Sequence, residues 1–350
     1  MSDPSVIIVG AGVAGLSCAR ELNARGISNV VFERARGVGG RCATRRINGQ
    51  PVDHGLPFLH AKSGEFGEAL NELDPAGKVL GWPTEVREPR LLFHPDALKP
   101  GRRRMARRAG VSEFPKWLGH TVDVRLGAEA TALADRGDRV EVRFADGSHA
   151  AAPFVVLACH VRESLRLAEP LVSGWSNSRD KLEALAAIEP IPTLTVIAGY
   201  DPAAFDAPFH LWNPLETTML HVIVHDSSKR EHPAERVMVL HARPGYSRER
   251  LASPPAEWQA ELLWELGEIL EPSAESPRWA QTHVWHDARI PDAQRLTDAV
   301  AFESGGGGSV ALIGDAFAVD AGLEGAYLSG ISFAEQIALV RAARAGKLQS

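Results

Sequence analysis

Apolar residues in the first 35 positions follow first a strand pattern and then a helical one. Residues 6–9, Val-Ile-Ile-Val, form an unbroken β-branched run that is typical of a buried parallel strand. Four apolar residues follow at helical spacing: Val13, Leu16, Ala19 and Leu22. Gly26 is placed to end that helix, and residues 30–32 predict the next strand. The pattern therefore indicates a βαβ unit at the start of the chain.

Strand and helix patterns continue along the rest of the chain. We predict a short strand centred on residues 46 and 47 and further strands at residues 122–126, 130–133, 140–144, 154–158, 193–200, 220–224, 237–242 and 310–313. We predict helices at residues 64–73, 256–270 and 330–345. The three strands between residues 122 and 144, with an Asp146-Gly147 turn, are interpreted as a small β-meander. The strand at 154–158 should rejoin the first sheet.

Two stretches are less regular. Residues 80–98, which include Phe93 and His94, are assigned to part of a second domain's sheet. Near Pro115 the chain is expected to return to the first domain as a loop and a helix, with Pro115 in the first helical turn. In the helix at 256–270, Trp258 and Trp264 are expected to complete the buried side.

These elements predict an α/β protein with two domains. A length of 350 residues agrees with that number, since a domain has about 150 residues. We assign residues 1–75, 110–165 and 300–350 to a discontinuous Rossmann-type domain. Residues 76–109 and 166–299 are assigned to a mixed-sheet substrate domain.

Glycines at the first strand–helix junction carry the strongest chemical signal. Gly10, Gly12 and Gly15 form G-x-G-x-x-G, in which the first glycine permits a tight turn and the second lets backbone approach a pyrophosphate. The third lets the helix, with Ala14 in its first turn, pack closely, and the helix N-terminus attracts phosphate. Glu33 ends the second strand, where a carboxylate can accept both ribose hydroxyls of an adenosine. The motif itself accommodates NAD or FAD.

The residues after Glu33 favour FAD. Arg34 follows, and Gly39, Gly40 and Arg41 close the segment. The two glycines permit close backbone approach, while Arg41, with Arg36 as a further candidate, supplies positive charge near phosphates. A solvated basic loop is the alternative interpretation.

This segment resembles the amine-oxidase-like flavoproteins, in which an acidic residue, a basic residue and Gly-Gly-Arg follow the first βαβ unit. Residues 52–58 are similar to the D-x-G-x-x-F stretch of that family and place Asp53 and Gly55 beside the flavin. The resemblance implies that the backbone near Ala130 meets the adenine. It also implies that Gly314 and Asp315 meet the ribityl and phosphate region, and that the helix containing Glu324, Gly325 and Ala326 points at the flavin pyrimidine. That helix would stabilise negative charge on the reduced flavin.

Two later stretches resemble renalases more specifically. Residues 239–248 are similar to their histidine-bearing strand, and residues 283–289 to the strand that follows. The resemblance makes His241 a candidate hydrogen-bond donor to substrate and Arg289 a candidate anion contact. A structural role remains open for each. His54 and His60 are candidate acid–base residues, although loop histidines are more often solvated.

Composition and charge limit the partners, the cellular location and the cofactor linkage that we expect. The formal charge of −6 gives no reason to expect nucleic acid, and the five arginines between residues 102 and 108 are interpreted as a solvated loop or as an attractor of anions. No signal sequence or membrane span is expected, so we predict a cytoplasmic protein. Cys18, Cys42 and Cys159 show no metal or redox spacing, and no metal is predicted. No cysteine follows Cys159, so a C-terminal cysteinyl link is excluded and noncovalent FAD is expected. The oligomeric state stays open.

Three functions fit these features. The first is a renalase-like oxidoreductase in which hydride passes from a small substrate, with dihydronicotinamide dinucleotide isomers favoured, to flavin N5, and oxygen then accepts the electrons to form hydrogen peroxide. The second is an oxidase or desaturase acting on an amine or a biosynthetic intermediate. The lysine that often lies near flavin N5 in amine oxidases cannot be located from the sequence. The third is a flavin-binding protein without turnover.

Overall fold

The computed structural model describes residues 4–88, 95–99, 101–215 and 217–347, so the expectation for Phe93 and His94 lies outside the described residues. Two compact units emerge from the contacts. Unit 1 comprises Met1–Cys42, Phe114–Glu189 and Ile290–Ser350, and unit 2 comprises Ala43–Glu113 and Pro190–Arg289. The fold is α/β with mixed sheets, as predicted.

Strands and α-helices contribute nearly equal numbers of residues. In chain order they are β1 Val6–Val9, β2 Asn29–Glu33, β3 Thr44–Ile47, β4 Gln50–Asp53, β5 Leu59–Ala61, β6 Lys78–Leu80, β7 Val86–Arg87, β8 Arg103–Arg107, β9 Val124–Leu126, β10 Ala130–Asp135, β11 Val140–Phe144, β12 His149–Ala152, β13 Phe154–Leu157, β14 Ile191–Tyr200, β15 Leu211–Trp212, β16 Leu220–His225, β17 Arg236–Ala242, β18 Trp279–Arg289, β19 Val300–Glu303 and β20 Ser309–Leu312. The α-helices are α1 Val13–Ala24, α2 Gly64–Asn71, α3 Glu113–Gly119, α4 Val161–Val172, α5 Arg179–Ala186, α6 Pro244–Arg250, α7 Pro255–Ile269 and α8 Gly322–Lys347.

Unit 1 is built on a six-stranded sheet with the order β19-β20-β13-β1-β2-β9. All neighbours are parallel except β19, which runs antiparallel to β20. All four residues of β1 are buried, as their unbroken apolar run predicts. A three-stranded antiparallel sheet, β10-β11-β12, completes the unit.

Helices α1 and α8 pack closely in unit 1. A Cβ on Gly330 of α8 would overlap the side chain of Ser17 and the backbone of Ala14, both on α1. Ser17 Oγ donates to the carbonyl of Tyr327 on α8 at 2.9 Å. Glycine therefore permits a helix–helix approach that a larger residue would prevent.

Unit 2 is built on a second six-stranded sheet, with the order β18-β14-β17-β16-β15-β7. One face packs on α7 through an apolar cluster that includes Leu194, Leu240 and Trp258. The other face packs on a cluster that includes Val52 and Phe58. The strands β5, β8 and β6 form a small antiparallel sheet, and β3 with β4 forms a hairpin.

Several predicted elements are confirmed. The strands of the first βαβ unit, the strand at 154–158 and the helix at 256–270 all form within two residues of the predicted bounds. Pro115 lies in the first turn of α3, as expected. The predicted helix at 330–345 is the later part of α8, which begins at Gly322.

Three expectations are wrong. The strand β9 does not join the meander, because it pairs in parallel with β2 and extends the main sheet of unit 1. Trp264 is 50% exposed and does not share the buried side of α7 with Trp258. The arginine segment is not a solvated loop, since residues 103–107 form a strand in which the buried Arg107 donates to Glu113 at 2.7 Å.

The boundaries of the compact units differ from the boundaries of the predicted domains. Residues 43–75 belong with unit 2, because β5 pairs with β8 and because Ile47, Val52 and Phe58 share an apolar cluster with β14, β16 and β17. Residues 166–189 belong with unit 1, where Leu167 and Leu185 join the core of its sheet. The assignment of cofactor and substrate to the two domains stays a prediction.

No described helix combines the length and the apolar character that crossing a bilayer requires.

Candidate functional site

Two glycines of the first motif are required by the fold of unit 1 itself. Gly10 has φ of +108°, and a Cβ there would lie 2.8 Å from the carbonyl oxygen of Ala158. A Cβ on Gly15 would overlap the carbonyl oxygen of Gly10. These positions allow β1 to turn sharply into α1.

Gly12 differs, because the fold does not explain it. Its φ of −74° and ψ of 179° suit any residue, and a Cβ there would meet no atom of the chain within 4 Å. Gly12 is also the N-cap of α1, which has no side-chain cap and no acidic residue in its first turn. An uncapped helix N-terminus attracts anions, so the position suits the pyrophosphate of a dinucleotide.

The second glycine segment lies directly beside the first. The Gly39 N–H donates to the carbonyl of Ala11 at 2.9 Å, and Gly12 and Gly39 form a parallel bridge. Gly40 has φ of +57°, and a Cβ there would lie 3.7 Å from Gly12 Cα. Two segments that are separate in the sequence therefore form one glycine-lined backbone surface.

Glu33 fastens this surface to β2. Its two carboxylate oxygens accept the N–H groups of Ala11 and Ala35, each at 2.8 Å. A carboxylate has about four acceptor positions, so two such bonds leave capacity for ribose hydroxyls. Arg34, next in the chain, is exposed.

Arg41 and Asp315 bind each other. The Arg41 guanidinium donates to both carboxylate oxygens of Asp315, at 2.7 and 2.5 Å. The sequence assigned Arg41 to phosphates and Asp315 to the ribityl region, and it did not predict this pair. The pair fixes the end of the glycine segment to the residue that follows Gly314, whose φ of +141° turns the chain after β20. Bidentate pairing gives the connection a defined geometry.

The predicted residues at the start of α8 serve packing as well. Glu324 is buried in the first turn, and a Cβ on Gly325 would overlap the carbonyl oxygen of Asp320. Ala326 is half-buried, and Ala130 is buried on β10. The role of this helix N-terminus towards the flavin stays a prediction.

The Asp53 side chain is committed to contacts inside unit 2, and the expectation that the backbone here passes close to the flavin stays a prediction. The carboxylate is fully buried in unit 2, where Oδ2 accepts from Lys229 Nζ at 2.7 Å. Oδ1 accepts from the Thr44 hydroxyl at 2.6 Å and from the Val111 N–H at 2.9 Å. Both oxygens are therefore committed inside the unit. Gly55, two residues on, is half-buried.

A polar row crosses one face of the unit 2 sheet. Thr195 on β14 is paired with His241 on β17 and with His283 on β18, and directly paired residues point to the same face. The His241 Nδ1 atom lies 3.0 Å from Thr195 Oγ, while its Nε2 atom is buried and has no hydrogen-bond partner in the described chain. The Nε2 atom therefore has hydrogen-bonding capacity that the described chain does not use.

Two further histidines join this row. His221 is the extra residue of a bulge in β16, since Leu220 and Val222 face consecutive residues of β17. His54 follows β4 and is 4% exposed. The centroid of its ring lies 5.0 Å from that of His283 and 5.2 Å from that of Trp285. We call His54, His221, His241 and His283 the histidine cluster.

The histidine cluster is neutral at ordinary pH. Burial is the largest cause and lowers the pKa of His54 and His221 to about 3 and of His241 and His283 to about 4. Positive charge nearby lowers these pKa values further, and it comes from Arg45, Arg243, Arg289 and Lys229. Arg45 also bonds to the His283 ring at 2.8 Å.

Sequence reasoning found part of this cluster. His241 and Arg289 were predicted, and the structure places both near His221, whose pKa they lower. Thr195 and His283 were missed, although a polar residue at an inward position of an apolar strand is a usable signal. His60 lies on β5, half-buried, and is not part of the histidine cluster. No group of histidine, cysteine and carboxylate side chains suited to a metal occurs within the described ranges.

Comparison with known proteins yields two family matches. Residues 8–73 match the NAD(P)-binding Rossmann-like domain, and residues 91–338 match the flavin containing amine oxidoreductase model. Among curated relatives, polyamine oxidase 4 of Oryza sativa subsp. japonica is 38% identical over 80 residues, which is 23% of this chain and 15% of that protein. The chain matches 12 to 15% of the length of two further curated relatives, a putative flavin-containing monoamine oxidase of Mycobacterium tuberculosis and a probable polyamine oxidase of Arabidopsis thaliana.

Solved structures match along nearly the whole chain. Cyclohexylamine oxidase from Brevibacterium oxydans has a TM-score of 0.69 at 15% identity and covers 100% of both chains. Wild-type putrescine oxidase bound to putrescine has a TM-score of 0.68 at 15% identity, covering 97% of this chain and 99% of the other. At these identities the likeness establishes the fold.

Proposed function

Because the chain belongs to the flavin-containing amine oxidoreductase family and uses FAD, we propose that it oxidises dihydronicotinamide dinucleotide isomers to the aromatic nicotinamide, with oxygen as the final acceptor. FAD, when bound, takes a hydride from the substrate and passes two electrons and protons to oxygen, which gives hydrogen peroxide. We propose that the cofactor is held without a covalent link. The observation that carries the substrate class is that the histidine cluster is uncharged and lies beside positively charged guanidinium groups.

A neutral cluster beside guanidinium groups discriminates by substrate charge. A protonated amine placed there would be repelled by Arg45 and Arg289, and it would find no carboxylate among the residues of the polar row. The phosphates of a dinucleotide are attracted by the same positive charges. A reduced nicotinamide also has a weak C–H bond and needs no strong protein base, only correct placement. We infer that His241 Nε2 hydrogen-bonds the substrate and that Arg289 attracts its phosphates.

The FAD-binding residues follow from unit 1. We propose that the backbone at Gly12 and Gly40 and the N-terminus of α1 hold the pyrophosphate, and that Glu33 binds the ribose. The Arg41–Asp315 pair keeps the second glycine segment in place. Lys229 is not proposed as the lysine that amine oxidases often place near flavin N5, because its Nζ is bound by Asp53 and Asp226.

An amine oxidase is the second candidate, and the structural match to cyclohexylamine and putrescine oxidases favours it. In that case the amine would have to bind in its uncharged form, because the histidine cluster supplies no negative charge. A flavin protein without turnover is the third candidate.

Anaerobic mixing separates the three candidates. FAD-loaded protein is mixed with a dihydronicotinamide dinucleotide isomer and, separately, with primary and secondary amines, while the flavin absorbance is followed. Rapid bleaching by the isomer alone is the expected result. Bleaching by an amine alone would establish the second candidate, and no bleaching by any of them would leave the third.

A further inference from the structure

A buried network of alternating charges lies in unit 2. Lys229 Nζ donates to Asp53 Oδ2 at 2.7 Å and to Asp226 Oδ1 at 2.6 Å, and Arg230 Nη1 donates to Asp226 Oδ2 at 2.7 Å. The side chains of Asp53, Asp226 and Lys229 are 0% exposed. We call Asp53, Asp226, Lys229 and Arg230 the charge network.

Stability alone does not explain such a network. Moving paired charges out of water costs about as much as their attraction returns, so apolar residues of the same volume would serve a core at least as well. Buried ion pairs are better explained where they fix one arrangement of the chain. The question is therefore which arrangement this network fixes.

The charge network holds three segments at one point. Asp53 Oδ1 accepts from Thr44 in the β3–β4 hairpin and from the Val111 N–H ahead of α3. The Asp53 N–H donates to Asp226 Oδ1 in the turn after β16 at 3.2 Å. Both the side chain and the backbone of Asp53 are thereby fixed, at the residue that immediately precedes His54.

The fixed backbone leads directly into the histidine cluster. The carbonyl of His54 accepts from Trp285 Nε1 at 3.2 Å, so β18 holds the other side of this residue. The His54 ring then packs against His283. The Lys229 charge also acts on His241, whose pKa it lowers together with burial. His54, His221 and Thr195 are the other polar groups that face His241.

We propose that Lys229 and Asp53 are positioning residues for substrate oxidation, which act by holding His54 in place. Neither is a catalytic residue, because both side chains are enclosed by the chain itself. The inference rests on the proposed function for its substrate. It assigns to Asp53 a role that the cofactor motif did not predict.

The first test is Lys229→Met, which keeps the length of the side chain and removes its charge. We expect anaerobic flavin reduction by the dihydronicotinamide isomer to slow by about 10- to 100-fold, the usual effect of a misplaced substrate contact, with FAD content unchanged. Glu231→Gln is the matched control. Glu231 lies two residues after Lys229 in the chain, and the substitution removes only its exposed 2.7 Å ion pair with Arg108. An unchanged rate in a folded, FAD-loaded Lys229→Met protein overturns the proposal.

If Lys229→Met does not fold, Thr44→Val tests the positioning role in its place. This variant removes only the 2.6 Å hydrogen bond to Asp53 and the weaker bond that Thr44 accepts from Ser112. We expect reduction to slow by about fivefold, which corresponds to the loss of one ordinary hydrogen bond. Reduction at the wild-type rate would overturn the proposal.

A second readout needs no substrate. Histidine ring signals of the isotopically labelled protein are followed by NMR as pH is lowered. In Lys229→Met, or failing that in Thr44→Val, His54 should titrate at higher pH than in wild type, because burial is the largest cause of its lowered pKa and a loosened ring gains contact with water. Glu231→Gln should match wild type. Identical titrations overturn the positioning role. Absence of reduction by the isomer in wild type would instead refute the proposed function.

Discussion

A substitution at Gly12 should change cofactor binding without changing folding, which separates the two effects more clearly than any other substitution considered. In Gly12→Ala the added methyl group meets no atom of the chain within 4 Å, and the backbone angles suit alanine. In Gly15→Ala the methyl group would overlap the carbonyl oxygen of Gly10. The two substitutions add the same methyl group at the N-cap and in the first turn of α1, so their consequences should differ mainly through the atoms that surround it.

The expected magnitudes follow from these surroundings. Alanine is a poorer N-cap than glycine by about 0.5–1 kcal/mol, and it restricts the unfolded chain by a similar amount, so the stability of apo Gly12→Ala should change by less than about 1 kcal/mol. Its melting temperature should then stay within about 4 °C of wild type. Gly15→Ala should lose about 1–3 kcal/mol through overpacking.

Gly12→Ala should weaken FAD binding, although it leaves the stability of the apoprotein nearly unchanged. A methyl group at Gly12 would separate the backbone from the pyrophosphate, and losing one hydrogen bond to a charged group costs about 1.5–3 kcal/mol. Affinity should therefore fall by about 10- to 100-fold. The assay is a fluorescence titration of apoprotein with FAD, together with thermal unfolding of the apoprotein.

Gly174→Ala serves as the matched control. Gly174 is an exposed residue of unit 1 at which a Cβ would also meet no atom within 4 Å, and we expect no effect on FAD affinity. If Gly12→Ala bound FAD as tightly as this control, the pyrophosphate would not approach Gly12 and the interpretation of the motif would fail.

Three further predictions concern the cofactor site, the core and pH. Asp315→Asn should weaken FAD binding by about tenfold, because it breaks the bidentate pair with Arg41; equal FAD affinity in a fluorescence titration would contradict this. Glu265→Ala should lower the free energy of unfolding by about 2–4 kcal/mol in urea titrations, since the buried carboxylate accepts the N–H groups of residues 218–220; a loss below about 1 kcal/mol would count against it. The histidine cluster has folded-state pKa values of about 3 to 4, below the ordinary 6.5, so the unfolded state binds more protons in that interval. Stability should be full above pH 6.5 and fall as pH drops toward 4, by up to about 1.4 kcal/mol per pH unit for each buried histidine; chemical denaturation between pH 7 and 4.5 that showed no such decline would refute the assignment.

The fold of unit 1 could be predicted where local pattern and long-range contact agree. The run at residues 6–9 forms β1 because a continuous apolar segment has to be buried on both faces. The placement of β9 could not be predicted in this way, because its short sequence suits a meander or a sheet edge equally well, and pairing with β2 decides between them. Trp264 shows the same limit, since tryptophan is apolar enough to be assigned to a core from which helical geometry excludes it.

Sequence patterns could suggest the glycines of the candidate site and two residues of its polar part, His241 and Arg289, but not how the polar residues come together. Glycine spacing constrains backbone geometry directly, so Gly10, Gly12 and Gly15 could be assigned from local sequence. The histidine cluster draws its members from β16, β17, β18 and the residue after β4, and only strand register brings them together. The ion pair of Asp53 with Lys229 could not be predicted, because a motif names a residue without showing its partner, and Lys229 lies 176 positions away.

The proposed substrate charge is tested most directly by comparing one hydride donor with and without its phosphates. Wild-type protein loaded with FAD is mixed anaerobically with a dihydronicotinamide dinucleotide isomer and with the matching uncharged dihydronicotinamide nucleoside, and the concentration that gives half-maximal flavin reduction is measured for each. Because Arg45 and Arg289 attract phosphate, we predict that the dinucleotide saturates at a concentration at least about tenfold lower. Equal half-saturation by the two donors, or faster reduction by an amine than by either, would contradict the account.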